Sequence, residues 1–183
     1  MPKSSRSGKQ AIIEWLQKLS SITTVLDVGA GKGTYKRLCD GFIVYKDLPP
    51  IKPVLQDAVW TGIEVWKPYI NEYELDNLYD IIINEDVRVI QKDLEEYDLI
   101  FAGDVIEHMS KDDAVKLIKT LSKKGKVLIV SIPLGYHPQG EHNGNPFEVH
   151  VKDDWTHQEF ISTFPDIKKF ALDEEIGVYW IEK

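Results

Sequence analysis

The sequence predicts an α/β domain of the doubly wound kind: a mostly parallel sheet of about seven strands with helices on both faces. Short apolar runs rich in valine and isoleucine alternate with segments of helical period. Strands that alternate with helices pair in parallel and are covered on both sides. The first such run enters a glycine cluster directly, and a helical segment follows it. A length of 183 residues suits one continuous core. Residues 1–8 read as a flexible tail and 9–183 as a single domain.

Each element has its own signal. Ile12, Ile13, Trp15, Leu16 and Leu19 fall at helical spacing and predict a helix over 10–19, closed by Ser20 and Ser21. Residues 25–28 form a short buried strand, and a short helix follows through 36–39. Pro49, Pro50 and Pro53 then break the chain. A strong strand signal covers 59–66, and a helix is expected over 68–78, where Pro68 suits the first turn because its missing N–H costs nothing there. Residues 80–84, 98–103 and 126–132 supply the third to fifth strands. The helix over 112–121 carries Asp112 and Asp113 at its positive end. One more helix over 155–164 precedes a closing pair of strands over 167–172 and 178–181.

Composition removes several function classes. Hydrophobic residues make up 43% and charged residues 28%, an ordinary globular balance. The longest uncharged apolar run, 127–136, is about half of what a bilayer requires and contains Pro133, so no membrane span is expected. The N-terminal segment lacks the apolar stretch of a secretory signal. A lone cysteine, Cys39, permits no internal disulfide and no cysteine metal cage, which places the chain in a reducing cytoplasm. With 22 basic against 30 acidic side chains and a net charge of −8, long nucleic acid is a disfavoured partner.

The most informative segment runs Val25-Leu-Asp-Val-Gly-Ala-Gly-Lys-Gly-Thr-Tyr35. Glycines at this place allow positive φ and let a ligand approach the backbone. The dinucleotide fingerprint wants its third glycine where this chain has Thr34, which weakens a nicotinamide-dependent reductase. No Gly-Lys-Ser/Thr run of the P-loop kind is present. Asp27 would repel a pyrophosphate, whereas it would welcome a cationic amino-acid group.

Asp27-Val-Gly29-Ala-Gly31-Lys-Gly33 resembles the first motif of class I S-adenosylmethionine-dependent methyltransferases, an acidic residue followed by G-x-G-x-G. The resemblance extends over residues 22–132 and implies a Rossmann-like fold. It further implies cofactor contacts at Asp27, Gly29, Ala30, Gly31 and Gly33. An acidic residue at the end of the second strand would bind the ribose hydroxyls. Glu64 takes that place, with Val65 beside it and Trp66 able to cover the adenine. It lies 31 residues past Gly33, against the usual separation of about 20. Asp47 competes for the role, although only 14 residues separate it from Gly33. Asp86, with Glu85 as its alternative, would meet the adenine amino group, and the Val87 backbone the ring edge. Asp104 and Val105, in a segment similar to the family's fourth motif, would line the methionine portion.

Residues 133–155 should choose the methyl acceptor. This segment lacks a periodic pattern and concentrates glycine, proline, histidine and carboxylates. Gly144-Asn145-Pro146-Phe147-Glu148-Val149-His150 is similar to a stretch in small bacterial and phage methyltransferases and names no acceptor. Its histidines read either as a pocket base or as residues that hold the loop's own shape. His137, His150 and His108 are the candidate catalytic residues, histidine being suited to accept a proton near neutral pH; His142 is a further candidate from the loop. His137, Glu141, His142, Glu148 and His150 have metal-binding chemistry at no compact spacing, so no metal is expected. The expected activity is methyl transfer from S-adenosylmethionine to a small-molecule acceptor. A non-catalytic subunit that binds the cofactor or S-adenosylhomocysteine is the alternative.

Overall fold

The computed structural model describes residues 7–42 and 54–182. Seven strands form one sheet: β1 (Thr24–Val28), β2 (Val59–Ile63), β3 (Ile81–Ile83), β4 (Tyr97–Gly103), β5 (Gly125–Pro133), β6 (Ile167–Asp173) and β7 (Ile176–Glu182). Their order is β3-β2-β1-β4-β5-β7-β6. The first five pair in parallel, while β7 runs antiparallel to both β5 and β6. The chain leaves β1 toward one edge and returns at β4 toward the other. The β1/β4 carboxyl ends are therefore the switch point, where open sheets of this kind hold ligands.

The helices are α1 (Lys9–Leu16), α2 (Thr34–Cys39), α3 (Lys67–Glu72), α4 (Leu75–Leu78), α5 (Val87–Ile90), α6 (Lys111–Lys124) and α7 (His157–Thr163). Alternation along the strands sends Val25, Leu99, Phe101 and Ile129 to one face, against Ile12, Leu16 and Leu38 of α1 and α2. Leu26, Ile100, Ala102 and Leu128 go to the other, against Leu117, Leu121 and Phe160 of α6 and α7. The expected sheet with helices on both faces is what forms.

Three elements depart from expectation for local reasons. β2 ends at Ile63 instead of Trp66: the Glu64 N–H still donates to the Ile83 carbonyl of β3 at 3.0 Å, but the Glu64 and Val65 carbonyls accept from the Asn84 side chain instead of from a strand. The helix expected over 68–78 is broken into α3 and α4. Arg37 donates to the Tyr73 carbonyl at 3.0 Å, and Glu74 turns to φ 52. At the N-terminus, Ser7 and Gly8 are tied to the β6–β7 turn through Glu174 and Asp173. The remainder of the expected tail, 1–6, lies outside the described residues.

Candidate functional site

A cavity of about 280 Å³ opens at the β1/β4 switch point. One half of its wall comes from the ends of β1 to β4. The other half comes from the turn after β4 and from the 133–155 segment, which contributes Gln139, Asn145, Phe147, Glu148 and His150.

The glycine loop forms the floor. Gly29, Gly31 and Gly33 have φ values of 69, 52 and 68. A Cβ on Gly29 would stand 2.4 Å from Val105 Cγ2, whereas one on Gly31 would meet only the Gly29 carbonyl at 3.8 Å. Gly31 is therefore the open position of the loop. Gly33 is absent from the cavity wall; it starts α2, and a Cβ there would strike Leu78 at 2.2 Å.

Glu64 projects from the end of β2 and is 5% exposed. Gly31 N–H donates to its Oε2 at 2.8 Å, and Trp66 N–H donates to its Oε1 at 2.7 Å. Burial pushes its pKa up, while these two bonds pull it down. Each carboxylate oxygen has a further lone pair, so Glu64 can still accept from a vicinal diol. Asp47, its competitor, lies outside the described residues.

Ala30, Val65, Val87 and Val105 also line the wall. Asp86 does so while pairing with Arg88, whose bonds hold its pKa below the ordinary carboxylate range. Asp86 caps α5, so the Val87 N–H opens that helix with no acceptor inside it. Asp104, at φ 56, is a non-glycine residue in the left-handed region at the end of β4, the kind of strain that collects at functional sites.

Besides Gly33, four of the sequence candidates stand outside the cavity. Asp27 is buried on the α1–α2 side of the sheet and receives the Tyr79 hydroxyl at 2.6 Å, so Tyr79, not a ligand, occupies its carboxyl group. Burial raises its pKa to about 7. Trp66 is absent from the wall, its ring centroid 6.3 Å from that of Phe147, and of the two rings Phe147 lines the cavity. His137 turns to the Leu134 carbonyl at 2.9 Å, where it braces the loop. His142 is likewise absent from the wall, its backbone forming a bridge with Asn145.

His108 and His150 are brought together, their ring centroids 4.9 Å apart. His108 Nδ1 lies 3.2 Å from the Val149 carbonyl, and His150 Nδ1 lies 2.5 Å from that of His137. A carbonyl partner requires the proton on Nδ1, which leaves the Nε2 lone pair of each neutral ring available. Burial, then the neighbouring His150, lowers the His108 pKa. Glu107, 1% exposed, completes the group, and burial followed by Asp104 raises its pKa well above normal.

Sequence reasoning missed Glu107, Tyr69, Gln139 and Phe147 as wall residues. For Glu107 the signal was its position beside His108; the rest depend on how 133–155 folds back. Asn145 accepts the Phe147 N–H at 2.9 Å, caps the turn over Pro146–Glu148 and so turns Glu148 inward. Six carboxylate residues line the cavity (Glu64, Glu85, Asp86, Asp104, Glu107 and Glu148) against the basic Lys32 and Arg88, a field that favours a cationic ligand. Beneath them Lys9 is wholly buried, its Nζ donating to Tyr35 Oη at 2.9 Å.

No protein-family model and no curated protein sequence matches the chain. Solved structures do match its fold. Magnesium protoporphyrin IX methyltransferase from Synechocystis PCC 6803, crystallised with bound S-adenosylmethionine, aligns with a TM-score of 0.63 at 14% identity, covering 96% of this chain and 78% of that one. An S-adenosylmethionine-dependent methyltransferase from Clostridium acetobutylicum ATCC 824 gives 0.63 at 13% identity, covering 95% and 89%. TehB from Haemophilus influenzae gives 0.66 at 14% identity, covering 94% of this chain and 62% of that one. The fold is that of the class I S-adenosylmethionine-dependent methyltransferases.

Proposed function

We propose that the protein is an S-adenosylmethionine-dependent methyltransferase acting on a small-molecule acceptor. The observation that carries this reading is Glu64, held at the end of β2 and bonded to the open glycine of the loop at the switch point. S-adenosylmethionine, when bound, supplies a methyl group on a sulfonium that leaves as a neutral thioether. Glu64 accepts from the ribose hydroxyls, with Val65 alongside. Val87 N–H and Asp86 meet the adenine edge. Gly29, Ala30, Gly31, Asp104 and Val105 enclose the amino-acid end. Asp27 and Gly33 support the loop from behind, and Trp66 supports Phe147.

Because the sulfonium is a good leaving group, the protein's task is alignment and exclusion of water. The acceptor side is formed by His108, Glu148 and His150. An acidic wall and a net charge of −8 favour a small acceptor over a nucleic acid. Among the described residues no helix is long and apolar enough to cross a membrane. The lone cysteine favours a reducing compartment, and on that ground we place the protein in the cytoplasm.

Turnover tests this reading. Methyl-labelled S-adenosylmethionine is incubated with the protein and a panel of small hydroxyl, amine, thiol and carboxylate acceptors. Labelled product that disappears with Glu64→Ala is expected. Tight cofactor binding with no transfer to any acceptor would favour the non-catalytic subunit instead.

A further inference from the structure

On the acceptor side of the cavity, one carboxylate oxygen of Glu107 and one ring nitrogen each from His108 and His150 lie within 4.8 Å of one another. Both imidazoles are oriented by backbone carbonyls at Nδ1, the Val149 oxygen for His108 and the His137 oxygen for His150. This is the arrangement that fixes a metal-binding histidine, because it commits the ring proton and leaves Nε2 as a donor of electrons. An independent observation comes from the carboxylate. Glu107 is 1% exposed, and its Oε2 has no hydrogen-bond partner. An unpaired buried carboxylate oxygen is costly, and Asp104 and Glu148 bring further negative charge toward it.

We propose that Glu107, His108 and His150 form a binding site for one divalent first-row transition-metal ion. Two imidazoles with one carboxylate suit such ions better than they suit calcium or magnesium, which prefer oxygen alone. Donors around a tetrahedral ion with bonds of about 2.1 Å stand about 3.4 Å apart. Three protein donors leave coordination positions open toward the cavity, where an oxygen-bearing acceptor would complete the set. That use in catalysis rests on the methyltransferase reading; binding of the ion does not.

The test is calorimetric titration of chelator-treated full-length protein with Mn²⁺ and, separately, Zn²⁺. One saturable site per chain is expected for at least one of the two ions. Glu107→Gln, which preserves side-chain shape, and His150→Ala, at a half-exposed position, should each weaken binding about tenfold or more. A variant-free arm uses histidine ring resonances of the wild-type protein. The signals of His108 and His150 should broaden with Mn²⁺ or shift with Zn²⁺ before those of His137, His142 and His157. No saturable binding of either ion, or affinity unchanged in both variants, or a response confined to the other histidines, would overturn the site. S-adenosylhomocysteine binding without metal binding would remove the cation site and leave the cofactor reading standing; metal binding without S-adenosylhomocysteine would do the reverse.

Discussion

On the Glu64 side of the cavity the protein bonds its polar groups to one another, whereas on the Glu107 side a buried carboxylate oxygen has no hydrogen-bond partner. Glu64 receives two backbone N–H groups and Asp86 is held by Arg88. Glu107 Oε2, from a residue of the wall, stands alone. The Glu64 half is thus preorganised by local contacts, while the Glu107 half gathers polar groups from distant parts of the chain. Preorganisation reduces the ordering cost of binding, so the first half should bind its ligand without help from the second.

The largest effect is expected beneath the cofactor half, at Asp27. Its folded-state pKa of about 7 exceeds the ordinary value of 3.8. The folded protein therefore binds more protons than the unfolded chain between those values. Stability from this group is complete below pH 4 and is lost as pH rises through 7. Asp27→Asn should flatten that loss and stabilise the ligand-free protein above pH 7 by up to about 4 kcal/mol. Urea unfolding of both proteins at pH 5 and pH 8 checks this; equal pH dependence would place the titration elsewhere.

Next in size, Glu64→Ala should weaken S-adenosylhomocysteine binding about 10- to 100-fold while far-UV circular dichroism stays native. Unchanged affinity in the folded variant would pass the ribose role to Asp47 and break the preorganised half of the comparison. Asn145→Ala removes the cap that shapes the acceptor loop and should cost about 1 kcal/mol in a thermal melt. It should alter S-adenosylhomocysteine affinity less than Glu64→Ala does. An equal loss would mean that the two halves are coupled. The smallest effect belongs to His137→Ala, which removes a loop brace at Leu134 and a 3.8 Å contact with the exposed Glu175. It should change stability by about 0.5 kcal/mol and leave cofactor affinity unaltered. A large loss of affinity would return His137 to the site.

The same contrast explains what the sequence made legible. The glycine loop, Glu64, Asp86 and Asp104 are each announced within a few residues by a strand followed by a turn, and the sheet order then brings the strand ends together. The strands and the helices α1, α2, α6 and α7 were readable from their apolar patterns, whereas the four-residue α5 was not. The break at Glu74 was not, since it depends on Arg37 reaching across from α2. Trp66 and Phe147 illustrate a further limit. Both are aromatic and close to the site, yet only the fold decides which one faces inward. The Glu107–His108–His150 group was invisible as a spacing because 42 residues separate the two histidines and because backbone carbonyls, which carry no sequence signal, orient the rings. His137 was misleading for the converse reason: its type suited chemistry, but Leu134 claims it.

The measurement that bears most directly on the central claim is calorimetric titration of the purified protein with S-adenosylmethionine, S-adenosylhomocysteine and NADPH. Saturable binding of the first two, with no heat from the third, is the expected result. Binding of NADPH alone, or silence from all three, would contradict the assignment of this cavity to a methyltransferase cofactor.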